Sequence, residues 1–215
     1  MNIQDYLEEM KLIEQRLLEF IENENNTEDD IQKLAAFLRQ IFNGEHDIER
    51  ILLLLSKISN NHHRFPNFFR NIEQIILILR DDILQHFSSE QIFRIFYENK
   101  KIILFFIKNG IINPDQSFYD LISDPKLSVY HYKEYFYPEL NGIANGIQQY
   151  ENYNQDEHEA KRNVGENDHF LCNLIRNDSI IDFISHVTRT NTSLLSKIEP
   201  SVFETNSFLL LNNPT

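Results

Sequence analysis

Apolar residues recur at three- and four-residue intervals through nearly the whole chain, and almost nowhere do they alternate with polar ones. Tyr6, Met10, Ile13, Leu17 and Phe20 step by 4, 3, 4 and 3, which puts all five on one face of a helix over residues 3–22. A period near 3.6 cannot be turned into a sheet without throwing half of each stripe into water, so the spacing commits the chain to helices. Only five glycines interrupt a sequence of 215 residues, and 17 Phe with 9 Tyr supply bulk for a core.

Punctuation agrees with period. The polar run ENENN at 22–26 ends the first stripe, and Thr27 with Asp30 three residues on has the spacing of a capping box. Ile31, Leu34, Ala35, Leu38 and Phe42 form the next apolar face, and Gly44 is the expected left-handed stop. Ile48, Ile51, Leu52 and Leu55 mark a third helix, and Ile72, Ile75, Ile76, Leu79 and Ile83 a fourth with one continuous stripe. Ser88 and Gln91 repeat the capping-box spacing before Ile92, Ile95 and Phe96; a second apolar run, Ile102–Ile107, closes at Gly110. Asn113-Pro114 predicts a restart, with Asn as cap and Pro at the first helical position. Residues 124–165 differ: Pro125, Pro138, Gly142, Gly146 and Gly165 break them up, and QQYENYNQDEHEAKRN (148–163) has little to bury and reads as an exposed helix or linker. Helical spacing returns with Phe170, Leu171, Leu174, Ile175, Ile180, Ile181, Phe183 and Ile184, followed by a loop at 188–193.

Charge and cysteine content narrow the classes. With 33 acidic against 20 basic residues the net charge is −13, and no basic cluster larger than Lys100-Lys101 or Lys161-Arg162 exists to meet a phosphate backbone. Nucleic acid is therefore not an expected partner. Cys172 is the one cysteine, so no intrachain disulfide can form. The runs IILIL (75–79) and IILFFI (102–107) are far shorter than a membrane span of about 20 residues. The opening MNIQDYLEEMKLIEQRLLEF mixes acids into its apolar positions and offers no signal-peptide core. A cytoplasmic, intracellular chain is expected, and the three sequons at Asn25, Asn177 and Asn191 then follow from an Asn-rich composition.

Candidate chemistry is thin. His62-His63 with Arg64 has no Cys or carboxylate at ligand spacing and reads as a loop before the Ile72 helix. Cys172, between His169 and His186, falls in an apolar helix with no Gly-rich loop to stabilise an oxyanion, which suits a packing thiol. The adjacent acids Glu8-Glu9, Asp29-Asp30 and Asp81-Asp82 diverge around their helices, and no G-x-G-x-x-G, G-x-x-x-x-G-K-[ST] or H-E-x-x-H occurs. No catalytic residue, cofactor or metal ligand is expected. The aromatic block HYKEYFYPEL (131–140) carries two readings: Tyr132, Tyr135, Phe136 and Tyr137 dock a protein partner, or they glue one helical unit to the next.

One phrase is written twice. IFYENKKIILFFIKNG (95–110) and LIRNDSIIDFISH (174–186) align Asn99 with Asn177, Ile102 and Ile103 with Ile180 and Ile181, and Phe105 with Phe183. Each reads as helix, tight turn and helix, with both Asn residues in the turn, and helix pairs of this kind bury their faces by stacking. Ile75, Ile76, Leu79, Ile92, Phe96, Ile103 and Phe106 are the expected shared core of the middle helices.

The blocks NHHRFPNFFRNIEQIILILRDDI, SSEQIFRIFYENKKIILFFIKNGII, YHYKEYFYPEL, GENDHFLCNLIRNDSIIDFISHV and KIEPSVFETNSFLLLNNPT resemble the N-terminal region of the large ankyrin-repeat families of trichomonad parasites, across roughly residues 28–215. That resemblance implies a helical domain, then degenerate ankyrin-like units, then ordinary ankyrin repeats. The closing NNPT resembles the lead-in to an ankyrin helix, but T-P-L-H-x-A signatures are absent. The expected fold is thus all-α: about ten helices in stacked antiparallel pairs, an α-solenoid without a regular ankyrin array. The expected domains are an N-terminal helical domain at 1–123, a Tyr-rich and acidic connection at 124–164, and a degenerate ankyrin-like unit at 165–215, open at its C-terminal end and able to self-associate there. The expected function is a non-catalytic adaptor or scaffold for an unidentified protein partner; the alternative is a structural cap that seals the first repeat of an ankyrin array, in a truncated or fragmentary product.

Overall fold

The structure is a computed structural model, and it describes residues 3–41, 45–61, 66–127, 131–143, 153–195, 198 and 200–204. Among these the fold is all-α, with 13 helices and no strand. The chain divides into two compact units, Met1–Asn113 and Pro114–Thr215. The division falls ten residues before the expected boundary at 123, because Phe118 and Ile122 are buried with the aromatic residues that follow them.

The first unit holds α1 (Ile3–Glu22), α2 (Glu28–Ile41), α3 (Glu45–Asn61), α4 (Pro66–Ile78), α5 (Arg80–His86), α6 (Ser89–Phe96) and α7 (Lys100–Lys108). α1 packs on α2 and α4, while α3 lies against α4, α5 and α6. Both anticipated capping boxes are formed. Thr27 N–H donates to the Asp30 carboxylate at 2.9 Å while Asp30 N–H donates to the Thr27 hydroxyl at 3.3 Å. Ser88 and Gln91 exchange the same pair of bonds at 2.8 and 3.3 Å. Each box satisfies N–H groups that a helix start otherwise leaves without partners.

Ile75, Ile76, Leu79, Ile92, Phe96, Ile103 and Phe106 are all buried, and Phe96 meets Phe106 edge to face at 5.0 Å. The stripe from Ile72 to Ile83 stays on the buried side, but its helix is not continuous: it breaks at Leu79, between α4 and α5. Phe42, Gly44 and His62-His63 with Arg64 lie outside the described residues.

Buried polar side chains tie helix ends across the unit. Asn71, fully buried in α4, donates its amide towards the carbonyls of Ile21 and Asn23, each at 2.9 Å, at the C-terminal end of α1. Ser56 in α3 donates to the Ile95 carbonyl at 2.7 Å. These bonds supply partners to carbonyls that the helices cannot satisfy themselves. Gly110, at φ 66°, closes α7 as expected: its N–H bonds to the Ile107 carbonyl and the Ile111 N–H to that of Phe106. This is a Schellman motif with glycine at the left-handed position.

The second unit holds α8 (Gln116–Ile122), α9 (Tyr132–Tyr135), α10 (Tyr137–Leu140), α11 (Gln155–Val164), α12 (Phe170–Arg176) and α13 (Ile180–Thr190). α8 starts later than Asn113-Pro114 predicts. The Asp115 carboxylate accepts from Phe118 N–H at 3.0 Å and so sets the first helical residue at Gln116; Asp caps as well as Asn.

The two copies of the repeated phrase do not coincide in the expected register. Asn99 starts a helix, its side chain accepting from Ile102 N–H at 3.2 Å, whereas Asn177 ends one. After Asn177 the backbone enters the left-handed region at Asp178 (φ 51°), with Asp178 N–H bonded to the Ile175 carbonyl and Ser179 N–H to that of Leu174. The second turn is a Schellman closure and the first is an Asn-capped start. Similar words therefore encode two different turns.

Candidate functional site

The four aromatic residues singled out at 132–137 form the core of the second unit. Tyr132, Tyr135, Phe136 and Tyr137 retain 1%, 0%, 0% and 5% of their exposure. Phe136 is central, with Phe118 at 5.5 Å, Tyr132 at 5.5 Å and Tyr135 at 4.9 Å. A hot spot must be presented to its partner, and these side chains are consumed by packing within their own unit. They act as glue and offer no docking surface.

Arg162 enters that aromatic core from α11. Its guanidinium makes a bidentate pair with the Glu139 carboxylate at 2.7 and 3.1 Å, and its Cζ lies 5.1 Å from the Tyr135 ring. The Arg162 side chain keeps 1% of its exposure and that of Glu139 15%. α11 thus hides one face that composition places in water. His158, one turn earlier, meets the Glu134 carbonyl through Nε2 at 3.1 Å and stacks near Tyr153 and Phe203. Burial lowers the affinity of its imidazole for a proton, and Arg162 acts in the same direction, against the Glu134 hydrogen bond. Burial likewise pushes the Tyr135 and Tyr153 phenols up. The cluster pairs Arg162 with Glu139 and packs them beside its rings.

Cys172 is half-buried, and burial raises its thiol pKa. Its neighbours by sequence have other duties: the His169 ring accepts from Leu171 N–H at 3.3 Å, and His186 packs on Phe170 at 4.9 Å. Among the described residues, no group of three or more His, Cys, Asp or Glu converges as metal ligands, and no helix is long and apolar enough to cross a membrane. A cleft of about 400 Å³ between α1 and α2 is lined by Arg16, Glu19, Phe20, Lys33 and Phe37. Its charges are engaged locally, Arg16 with Glu19 at 3.3 Å and Lys33 with Asp29 at 2.5 Å.

What remains is a surface. α13 packs on α12, with His186 against Phe170, and has half-buried Phe183, His186 and Val187 but no buried residue. Ile180, Ile181 and Ile184 keep 60%, 84% and 58% of their exposure. Their spacing predicts an apolar face, and the structure turns it outward. Arrays of helices bury such faces against a neighbour, and no described residue supplies one here. Single exposed aliphatics are ordinary; three on adjoining positions of one helix make a face that water covers at a cost of about 25 cal/mol per Å². Phe170 and Ile175 of α12 are also exposed, at 52% and 60%. The run FLLL (208–211) lies outside the described residues, whereas Phe203 is half-buried, 5.2 Å from the His158 ring. No protein-family model, curated protein or solved structure matches the chain.

Proposed function

We propose that the protein is a non-catalytic protein–protein interaction module, and that α13 presents its docking face. The observation that carries this reading is the open apolar face itself: Ile180, Ile181 and Ile184, all more than half exposed on a helix with no buried residue. The resemblance of residues 28–215 to the N-terminal region of trichomonad ankyrin-repeat proteins supports the finer version, an intracellular adaptor or scaffold of that kind built from stacked helix pairs. An adaptor works by geometry and burial, and a face of aliphatic side chains is suited to that and to no bond-making step.

The test is affinity capture with the wild-type chain and with Ile181→Glu, followed by titration of any protein lost by the variant. The reading expects a purified partner whose Kd weakens at least ~10-fold on substitution. Partners bound equally by both proteins would overturn it.

The same face also fits a second reading, a structural cap whose open side is covered by the next repeat of an ankyrin array, since each unit of a solenoid buries its neighbour. Fusing one ankyrin repeat after residue 215 separates the two. A cap gains thermal stability and loses any tendency to associate; an adaptor whose partner is another protein gains neither from the fusion.

A further inference from the structure

We propose that the α13 face takes a second copy of this chain, with the two α13 helices antiparallel about a two-fold axis and Asp182 of each facing Arg189 of the other. The inference rests on α13 being a docking face, and it adds the occupant and the orientation. With 100° between successive residues, α13 sorts into three stripes. Phe183, His186 and Val187 are half-buried on the α12 side. Ile180, Ile184 and Thr188, flanked by Ile181, form the uncharged open strip. Along the outer border of that strip run Asp182, Ser185 and Arg189, spaced 3 and 4, all exposed.

That border is segregated by sign, with an acid near the start of α13 and a base near its end. Asp182 and Arg189 are seven residues apart, about 10 Å along the axis, too far to pair within one helix. Neither Asp182 nor Arg189 forms an ion pair among the described residues. In an antiparallel pair, the same border of each helix meets its counterpart head to tail, so Asp182 lies opposite the Arg189 end of the other copy. A parallel two-fold pair would instead turn this border toward the opposite, α12-facing border of the other helix, so that Asp182 and Arg189 would not meet. Charges bordering a helix seam choose orientation and partner in this way, while the apolar strip supplies the burial. Opposed helix dipoles favour the same arrangement.

Two features keep the association weak. An 11-residue helix is about 16 Å long and covers less than the roughly 800 Å² per partner of a stable interface. The net charge of −13 on each chain also opposes approach, so physiological salt, with a screening length of about 8 Å, is the suitable condition. A reversible, concentration-dependent dimer is the expected state.

The test is sedimentation equilibrium of the full chain over a wide concentration range, with Asp182→Arg, Arg189→Asp and the double swap, each checked for native helicity by circular dichroism. Wild type should dimerise, either single substitution should weaken dimerisation ~5-fold or more, and the double swap should restore it. Ser185 sits beside the two-fold axis, so Ser185→Cys in a Cys172→Ser background should form a disulfide-linked dimer under mild oxidation. A wild-type chain that stays monomeric throughout overturns the proposal, as does a double swap no better than the singles. If that monomer still loses a different partner on Ile181→Glu, self-pairing has failed while the docking face stands.

Discussion

Removing the carboxylate of Glu139 should destabilise the second unit far more than removing the guanidinium opposite it. Arg162 is held at 1% side-chain exposure, so without Glu139 its charge loses its bidentate partner and has no path to water. An uncompensated buried charge costs about 3–5 kcal/mol, and Glu139→Ala should fall in that range. Arg162→Met leaves the opposite problem in milder form. Glu139 keeps 15% of its exposure and can turn toward solvent, while methionine refills much of the space among the rings. The loss is then a bidentate hydrogen bond and the contact with the Tyr135 ring, together about 1–3 kcal/mol. Replacing both, as Glu139→Leu with Arg162→Met, should recover most of the stability, because buried pairs exchanged for apolar residues are close to neutral. The assay is native-state hydrogen exchange of the α11 amides, which reports on this unit even if the two units unfold separately. Equal losses for the two single variants, or losses below about 1 kcal/mol for both, would refute the buried-charge argument.

Three further outcomes follow from particular contacts. Ile76→Ala should cost about 2–5 kcal/mol in a denaturant titration, since Ile76 is fully buried in the first unit, and an unshifted midpoint would contradict its place in the core. Asp178→Gly should stabilise by about 1 kcal/mol, because a left-handed residue at φ 51° costs an L side chain what it does not cost glycine; a lower melting temperature would show that the Asp178 carboxylate has a compensating role. His158 binds its proton less readily in the folded unit than at the ordinary value of 6.5, so the unfolded chain takes up the proton first as the pH falls. Stability of the second unit should therefore drop as the pH goes below about 6.5, and His158→Gln should flatten that drop; identical pH profiles for the two proteins would rule the contribution out.

The helices of the first unit were legible because their signals are local. A stripe of period near 3.6 and a cap three residues from its partner are both written within one turn of helix, and α1, the Thr27 and Ser88 boxes, the Gly110 stop and the buried Ile75–Phe106 set all appear where those signals put them. The partnership of Arg162 with Glu139 was not legible, since 23 residues separate them and a charged, polar helix gives no sign that one of its faces is buried. Tyr132 to Tyr137 were identified as aromatic and conspicuous, but composition does not say whether such residues face a partner or their own core. The open face of α13 was not legible for the converse reason. Its spacing announces an apolar side, and which neighbour covers that side is a tertiary fact. The repeated phrase shows a further limit: Asn99 and Asn177 share neighbours in sequence, yet Asn99 starts a helix while Asn177, followed by a left-handed Asp178, ends one.

The account stands most directly on whether the α13 face is uncovered in the folded protein, and Ile181→Glu measures it. Ile181 keeps 84% of its exposure, so a carboxylate there should remain solvated and leave the thermal and denaturant midpoints within about 0.5 kcal/mol of wild type. The same variant should lose its capacity to associate. A loss of several kcal/mol, as expected for a charge forced into a core, would show that the face is packed inside the chain and would contradict both the docking surface and the function built on it.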